Sequence, residues 1–499
     1  MKLYNENKNY KLYQGNMLDI LEVLKPNCID SIITDPPYEL NFMSKGWDNA
    51  GISFRKDTWQ KCHEVLKPGG YLLAFGGSRT FHRIACAIED AGFEIRDTIM
   101  WLYGSGFPKS MDISKQIDKK GGNDYSKQFA TDLKQAREIR NLTMKYCDDK
   151  YCNGSTNWSW YEGRKDGCRV PDYQTYLEII KEFPELEKYK ELIKEAEREV
   201  IGKGKAGLTK GTIVNFTGTT EFDITAPSTG LAKQWQGWGT CLKPSFEPII
   251  VARKPFKGSL VDNVIEWGVG GLNIDECRVG NEERTQFSGR SQSKSTVYNS
   301  YNQDNAHYET VQGRFPANTI LTYEQITFDE VCGGFPNTKS QKRDSKYNKD
   351  TEYTNTYTPI KSDYRDDNTY SDSGFAARYF YCAKASKKDR DEGLDYFEQE
   401  KVNDGRQAPI DNPFQRGETL RKNIHPTVKP TELMQYLVRL VTPNGGVVLD
   451  PFNGSGSTGK AVMYENKEKA KGYKYIGIEL DREYLEISKA RIDYVIRKI

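Results

Sequence analysis

The sequence predicts an α/β fold, and three observations predict it. Strand-like and helix-like segments alternate over the first hundred residues. Two short apolar runs each reach an aspartate and then a turn: Ser31-Ile32-Ile33-Thr34 before Asp35, and Val447-Val448-Leu449 before Asp450. A third run, in YKYIGIELDREYL, ends at Glu479. Strand-end positions of this kind are where open α/β sheets bind ligands.

The elements follow in order. Residues 31–34 are β-branched and apolar at their centre, as a buried strand requires. Pro36 and Pro37 stop that strand because neither has a backbone N–H to donate, so Asp35 and Tyr38 sit on a stiff loop. WQKCHEVLKPGG reads as a helix with a Lys-Pro-Gly-Gly stop, followed by a strand over 71–75. Phe81, Ile84, Ala85 and Ile88 share one helix face, and Gly92 is its stop. IRDTIMWLYG is the next strand. Near Lys119 the pattern changes, and from Phe129 to about Val200 the chain is charged and helical. There LKQAREIRNLT and WSWYEGRKDGCRVPDYQTYLEII resemble a helix-turn-helix module of the repressor type, although Asn153, Gly154 and Ser155 interrupt the expected second helix. Leu186, Tyr189, Ile193, Ala196 and Val200 are spaced as a helix packing against the body. EPIIVARKPF restores a strand over 247–256. Residues 257 to about 375 are turn-rich, and 339–372 are polar throughout, too poor in apolar area to order alone.

With 499 residues the chain has room for two or three domains. Net charge is +2, from 72 basic and 70 acidic residues, so any nucleic-acid contact must come from local clusters. No run of 18 apolar residues occurs, and the start, MKLYNENKNYKLY, has no apolar h-region. A cytoplasmic protein is expected, bacterial or phage-encoded in a bacterial host. Cys147, Cys152 and Cys168 come nearest to metal spacing, but no CxxC or His-x3-His pair completes a site, so no metal is expected.

The second chemical motif is DPFNGSGSTGK. Its glycines permit a backbone to pass closely round a ligand. GSGSTGK satisfies half of a phosphate-binding loop, but Ala461 stands where Mg²⁺ binding needs Ser or Thr. The following strand ends in Glu479, which suits the hydroxyls of an adenosine-type ribose.

Together, DPPY (Asp35, Pro36, Pro37, Tyr38) and DPFNGSGST resemble the β-class amino-methyltransferases, which use S-adenosyl-L-methionine to methylate exocyclic amines of DNA bases. HPTVKP (425–430) and YQGNMLDIL match further family segments, the latter with Asn16 where an Asp is usual. The matches span roughly 10–110, 235–255 and 376–499. The resemblance implies a Rossmann-like sheet with helices on both faces, plus a helical insert and an irregular target-recognition region. It implies a catalytic half over 1–118, the insert over 119–234, a core strand over 235–256, target recognition over 257–375 and a cofactor-binding half over 376–499.

The implied roles are specific. The Asp35 carboxylate and Pro36 carbonyl accept from the target amine, Pro37 stiffens the loop, and Tyr38 stacks on a base flipped out of the duplex. Phe452 lies against the cofactor, with Asn453 beside it, and Gly454 and Gly456 allow close approach. Ser457, Thr458, Thr427 and Lys429 serve the methionine end, Glu479 holds the ribose, and Asp450 orients the loop. The Asp-first tetrapeptide favours adenine N6. Cytosine N4, an RNA substrate and a catalytically silent DNA-binding protein are the alternatives. Double-stranded DNA is the implied partner, with a homodimer and a cognate restriction endonuclease left open. The 339–372 loop is expected to face DNA, and KASKKDR (384–390) to clamp phosphates.

Overall fold

The computed structural model describes residues 2–39, 51–103, 110–120, 125–154, 157–163, 168–206, 220–242, 245–287, 308–322, 337–339, 373–375, 381–382, 387–402 and 419–498. Ten strands form one sheet: β1 (Lys2–Glu6), β2 (Tyr10–Gln14), β3 (Ile29–Thr34), β4 (Leu66–Phe75), β5 (Glu94–Tyr103), β6 (Phe246–Arg253), β7 (Thr319–Thr322), β8 (Tyr381–Cys382), β9 (Val447–Asp450) and β10 (Lys474–Glu479). Their spatial order is β1-β2-β10-β9-β3-β4-β6-β5-β7-β8. β2, β10, β9, β3 and β4 run parallel, and β6 lies antiparallel between β4 and β5.

Six helices complete the core: α1 (Met17–Val23), α2 (Lys56–Val65), α3 (Phe81–Asp90), α4 (Thr431–Val441), α5 (Ser457–Lys469) and α6 (Arg482–Ile496). The two faces of the sheet carry separate apolar clusters. Ile33, Leu73, Leu437, Val448 and Ile492 belong to one; Ile32, Leu72, Ile88, Trp59 and Leu449 belong to the other. Alternate residues of one strand therefore enter opposite cores, as a sheet covered on both faces requires.

The expected strands at 31–34, 71–75 and 447–450 are present, the one expected over 247–256 ends at Arg253, and the expected α3 is present and buries Ile84 and Ile88. The short strands β1, β2, β7 and β8 were not legible in the sequence, and the last two carry the sheet into the turn-rich and later regions. Two to five residues are too few to display a period. Of the polar loop, only Lys339 lies within the described residues.

The insert leaves after β5 and returns at β6, where Leu102 pairs with Phe246. Helices Tyr125–Ile139, Met144–Tyr151, Trp158–Tyr161, Tyr173–Glu182 and Lys190–Ala196 enclose their own core of Phe129, Leu133, Trp158, Tyr176, Phe183 and Leu186. Thr143 and Asp172 cap two of these helices. Asn153 and Gly154, both at positive φ, form the break that the sequence showed, and a short helix follows it. The stretch that resembles a helix-turn-helix is an order of short helices. The 186–200 pattern is corrected in two respects. Leu186, Tyr189 and Ile193 pack into the insert's own core rather than the body, and Val200 begins a separate ribbon instead of extending the helix. Asp118 closes the stem, meeting Arg198 at 2.6 Å and the Thr229 hydroxyl at 2.7 Å.

Trp158 is fully buried in that small core and donates to Glu162. Trp158→Ala should cost the insert about 3–5 kcal/mol. Hydrogen exchange should register the loss in 125–196 while the protection of β3, β4 and β9 is unchanged.

Candidate active site

The site is built where β3 and β9 end side by side, with Val448 opposite Ser31 and Leu449 opposite Ile32. Thr34, the last residue of β3, donates its hydroxyl to Asp450 Oδ1 at 2.7 Å. Asp450 Oδ1 also accepts from Phe452 N (3.1 Å), and Oδ2 accepts from Thr458 Oγ1 (2.6 Å). One buried carboxylate therefore fastens the first strand end to the glycine loop and to the start of α5. Burial pushes the Asp450 acid up to about 6, against the bonds from Thr458 and Thr34 that favour its ionised form.

The DPPY loop is held along its length. Pro36 is buried, the Pro37 carbonyl accepts from Ser53 Oγ at 2.7 Å, and the Tyr38 carbonyl accepts from Thr80 Oγ1 at 2.8 Å. Asp35 Oδ2 accepts from Lys429 Nζ at 2.5 Å. Glu247 Oε2, on β6, lies 3.5 Å from the same ammonium and accepts from the Tyr38 hydroxyl at 2.9 Å. The rings of Phe75 and Tyr38 flank Lys429 Nζ at 4.9 and 5.4 Å. Burial works against the charged lysine, yet Asp35 and Glu247 outweigh it and raise its pKa. Burial and the same two carboxylates raise the Tyr38 phenol well above its usual value. Asp35 Oδ1 is buried and has no hydrogen-bond partner among the described residues.

The glycine loop is closely packed by protein side chains. A Cβ on Gly454 would stand 2.8 Å from His425 Nε2, and one on Gly456 (φ +74°) 2.2 Å from Ser488 Oγ. The space these glycines free is thus used by protein side chains. Asn453 Oδ1 accepts from Tyr475 OH (2.8 Å) and Ser488 Oγ (3.2 Å), a buried tie rather than a ligand group. Thr458 is bound to Asp450, and the buried Arg491 reaches Ser455 O at 2.7 Å and Ser457 Oγ at 3.4 Å. Both hydroxyls expected at the methionine end are therefore engaged in holding the loop. Lys460 is fully buried, at 2.7 Å from Asp389 and 2.8 Å from Glu392, which also removes it from any phosphate role. Phe452 is half-buried beside Trp59, with ring centroids 6.5 Å apart.

Glu479 ends β10 beside the loop. Its Oε2 accepts from Gly454 N at 2.6 Å, and its Oε1 from Leu480 N and Asp481 N at 2.9 and 3.0 Å. Burial pushes its acid up to about 7, opposed by these backbone bonds. Asn16 is exposed and caps α1 through Leu18 N.

In HPTVKP, His425 packs edge-on to Tyr484 (4.6 Å between centroids), and its Nδ1 lies 2.8 Å from the Thr427 carbonyl. The Thr427 side chain is on the exposed rim. The Lys429 ammonium, expected at the methionine end, is bound to Asp35. In KASKKDR, expected to clamp phosphates, Arg390 donates to the His425 carbonyl at 3.1 Å and Asp389 holds Lys460 and Thr431. Lys388 is exposed, while 384–386 lie outside the described residues. Glu247, Asp389 and Arg491 were missed. Asp389 lies within KASKKDR, where the lysines and the arginine drew the reading, and Glu247 and Arg491 stand in no motif; only the tertiary contacts give the three a part.

The residues fit an S-adenosyl-L-methionine-type ligand. Glu479, Asp450 and Asp35 terminate three successive parallel strands, so the outer two ends are separated by two strand spacings, about 10 Å. With three acceptor positions taken by backbone N–H groups, Glu479 Oε2 keeps a lone pair for a ribose hydroxyl, and Asp35 Oδ1, unpartnered among the described residues, lies at the far end.

The family model described as "DNA methylase" matches residues 29–197 and 236–490. The chain belongs to that DNA methylase family. It is 32% identical over 172 residues to the type II methyltransferase M2.LlaDCHI of Lactococcus lactis subsp. cremoris, a match covering 28% of this chain and 63% of the relative. It is 39% identical over 69 residues to the DNA adenine methyltransferase YhdJ of Escherichia coli K12, covering 14% and 21%. The chain therefore spans less than two thirds of these relatives' length. Among solved structures, the PvuII DNA methyltransferase (cytosine-N4-specific) aligns over 99% of this chain and 96% of its own, at 11% identity and a TM-score of 0.35.

Two outcomes follow from the loop. Gly456→Ala places a side chain at positive φ against Ser488, so it should destabilise by at least about 1–2 kcal/mol, read from the denaturation midpoint. The raised Glu479 acid contributes stability that is fully present below its unfolded value near 4.5 and lost as pH rises through about 7. Between those values the stability of the ligand-free protein should fall relative to Glu479→Gln, and then level off. A difference that does not change with pH would refute it.

Proposed function

We propose that this chain transfers a methyl group from S-adenosyl-L-methionine to the exocyclic N6 amine of an adenine in double-stranded DNA. The observation that carries the reading is Asp35: one carboxylate oxygen is held by Lys429, and the other is buried without a partner among the described residues. A buried acceptor left unbonded costs free energy unless an incoming donor satisfies it.

An adenine N6 is a poor nucleophile because its lone pair is delocalised into the ring. When bound, the cofactor supplies an electrophilic methyl group on a sulfonium. Asp35 Oδ1 accepts one N6–H and the Pro36 carbonyl the other, which draws the amine towards pyramidal geometry and turns its lone pair to the methyl. Lys429 fixes the rotation of the Asp35 carboxylate. With the methyl group given up to N6 and the cofactor left as the neutral thioether, Asp35 would accept the surplus proton from N6. Tyr38 supplies an aromatic face to a base that has lost its stacking. Glu479 holds the ribose end and Asp450 keeps the two halves in register.

Adenine is favoured by the Asp-first tetrapeptide and by the name of the E. coli relative, a DNA adenine methyltransferase. Target recognition is assigned to 257–375, whose described part includes the ribbon of Val279–Phe287 and Tyr308–Arg314, with the helical insert as a second reader.

The test uses purified protein, tritiated S-adenosyl-L-methionine and unmethylated duplex DNA, followed by separation of the nucleosides. Label should appear in N6-methyldeoxyadenosine and fall about 10²–10³-fold or more in Asp35→Ala. Label in N4-methyldeoxycytidine would overturn the choice of base, and no label in DNA would sink the reading.

A further inference from the structure

Glu247 stands outside every motif, yet it touches two members of the catalytic cluster. Because β6 runs against its neighbours, its N-terminal end lies at the edge where the parallel strands finish. Glu247 opposes Trp101 of β5 there, two residues before Ile249 pairs with Phe75 of β4. Its side chain is 23% exposed, and Lys429 and Asp35 are 8% and 18% exposed, so the three charges share a largely dry space. Phe75, fully buried, walls the cluster.

The charge arrangement has a consequence for amine methylation. Asp35 with Lys429 alone would be a neutral pair, and the ammonium would oppose positive charge arriving at the amine nitrogen. Two carboxylates around one ammonium leave a net negative charge instead. In a site of low effective dielectric that difference is large. The same Glu247 oxygen takes the Tyr38 hydroxyl, so the aromatic face and the charge balance are set by one side chain.

We infer that Glu247 is a positioning residue that balances Lys429, keeping the negative charge of Asp35 available to the amine as it becomes cationic. It touches neither substrate nor cofactor; it acts through Lys429 and Tyr38. The inference rests on the methyl-transfer reading above.

Two variants separate charge from shape. Glu247→Gln keeps the side-chain volume and an oxygen for the Tyr38 hydroxyl but loses the charge. Glu247→Asp keeps the charge and shortens the reach. Single-turnover methyl transfer should fall about 10- to 100-fold in Glu247→Gln, with cofactor and DNA affinities within about twofold of the parent, and stay within about fivefold in Glu247→Asp. A Gln variant as fast as the parent, or an Asp variant as slow as the Gln variant, overturns the inference, since a purely structural tie to Tyr38 would favour Gln. Cofactor binding by each variant shows that it is folded. The parent and Asp35→Ala are run alongside. A parent that transfers no methyl defeats the methyl-transfer reading itself, whereas an active parent matched by the Gln variant defeats only the role of Glu247.

Discussion

The contact on which the site depends is the ion pair between Lys429 and Asp35, two residues 394 positions apart in the chain. It ties the loop before α4 to the loop after β3, and so joins the two halves of the catalytic core across everything inserted between them. A buried charge needs a partner, and here each supplies the other's. The lysine is pinned from the far side by Glu247, and the aspartate is left with one oxygen to offer. The Thr34–Asp450–Thr458 chain does the corresponding work one strand over, where hydroxyls hold a carboxylate beneath the glycine loop.

These contacts lie within a wider scaffold of buried polar ties. Lys460, Asp389 and Arg491 bind the segment after the turn-rich region to α5 and α6. Asp389 also reaches the amide of Thr431 at the start of α4, so the loop carrying Lys429 is braced from behind. The glycines of the loop take part in the same way. Gly454 and Gly456 let His425 and Ser488 come close, and the loop's shape is set by protein packing before any ligand arrives. Preorganisation of this kind is what electrostatic catalysis needs, because dipoles already in place do not have to reorganise during the reaction.

The sheet accommodates a large insertion without disturbing this edge. The chain departs after Tyr103 and returns at Phe246 beside Leu102, and Asp118 with Arg198 closes the stem. With its own core around Phe129, Trp158 and Phe183, the insert requires little of the catalytic half for its folding. Long insertions at such points add little loop-closure cost, which leaves the insert and the region after β6 open to change while the strand ends stay fixed.

The sequence by itself determined the strands that carry chemistry, the stiff DPPY loop, the glycine turn and the strand-end acids, because each follows from local rules: β-branched runs, prolines without a donor, glycines at tight turns. It therefore also determined the family and which face of the sheet would be used. Partnership was decided only by the tertiary structure. Lys429 sits between prolines and looks like any solvated lysine until β6 brings Glu247 and β3 brings Asp35 to it. Nothing in their own segments shows that Ser457 and Thr458 meet Arg491 and Asp450, or that Arg390 reaches the His425 carbonyl. A side chain's partner depends on which distant segment the fold sets beside it, and local sequence carries no record of that distance.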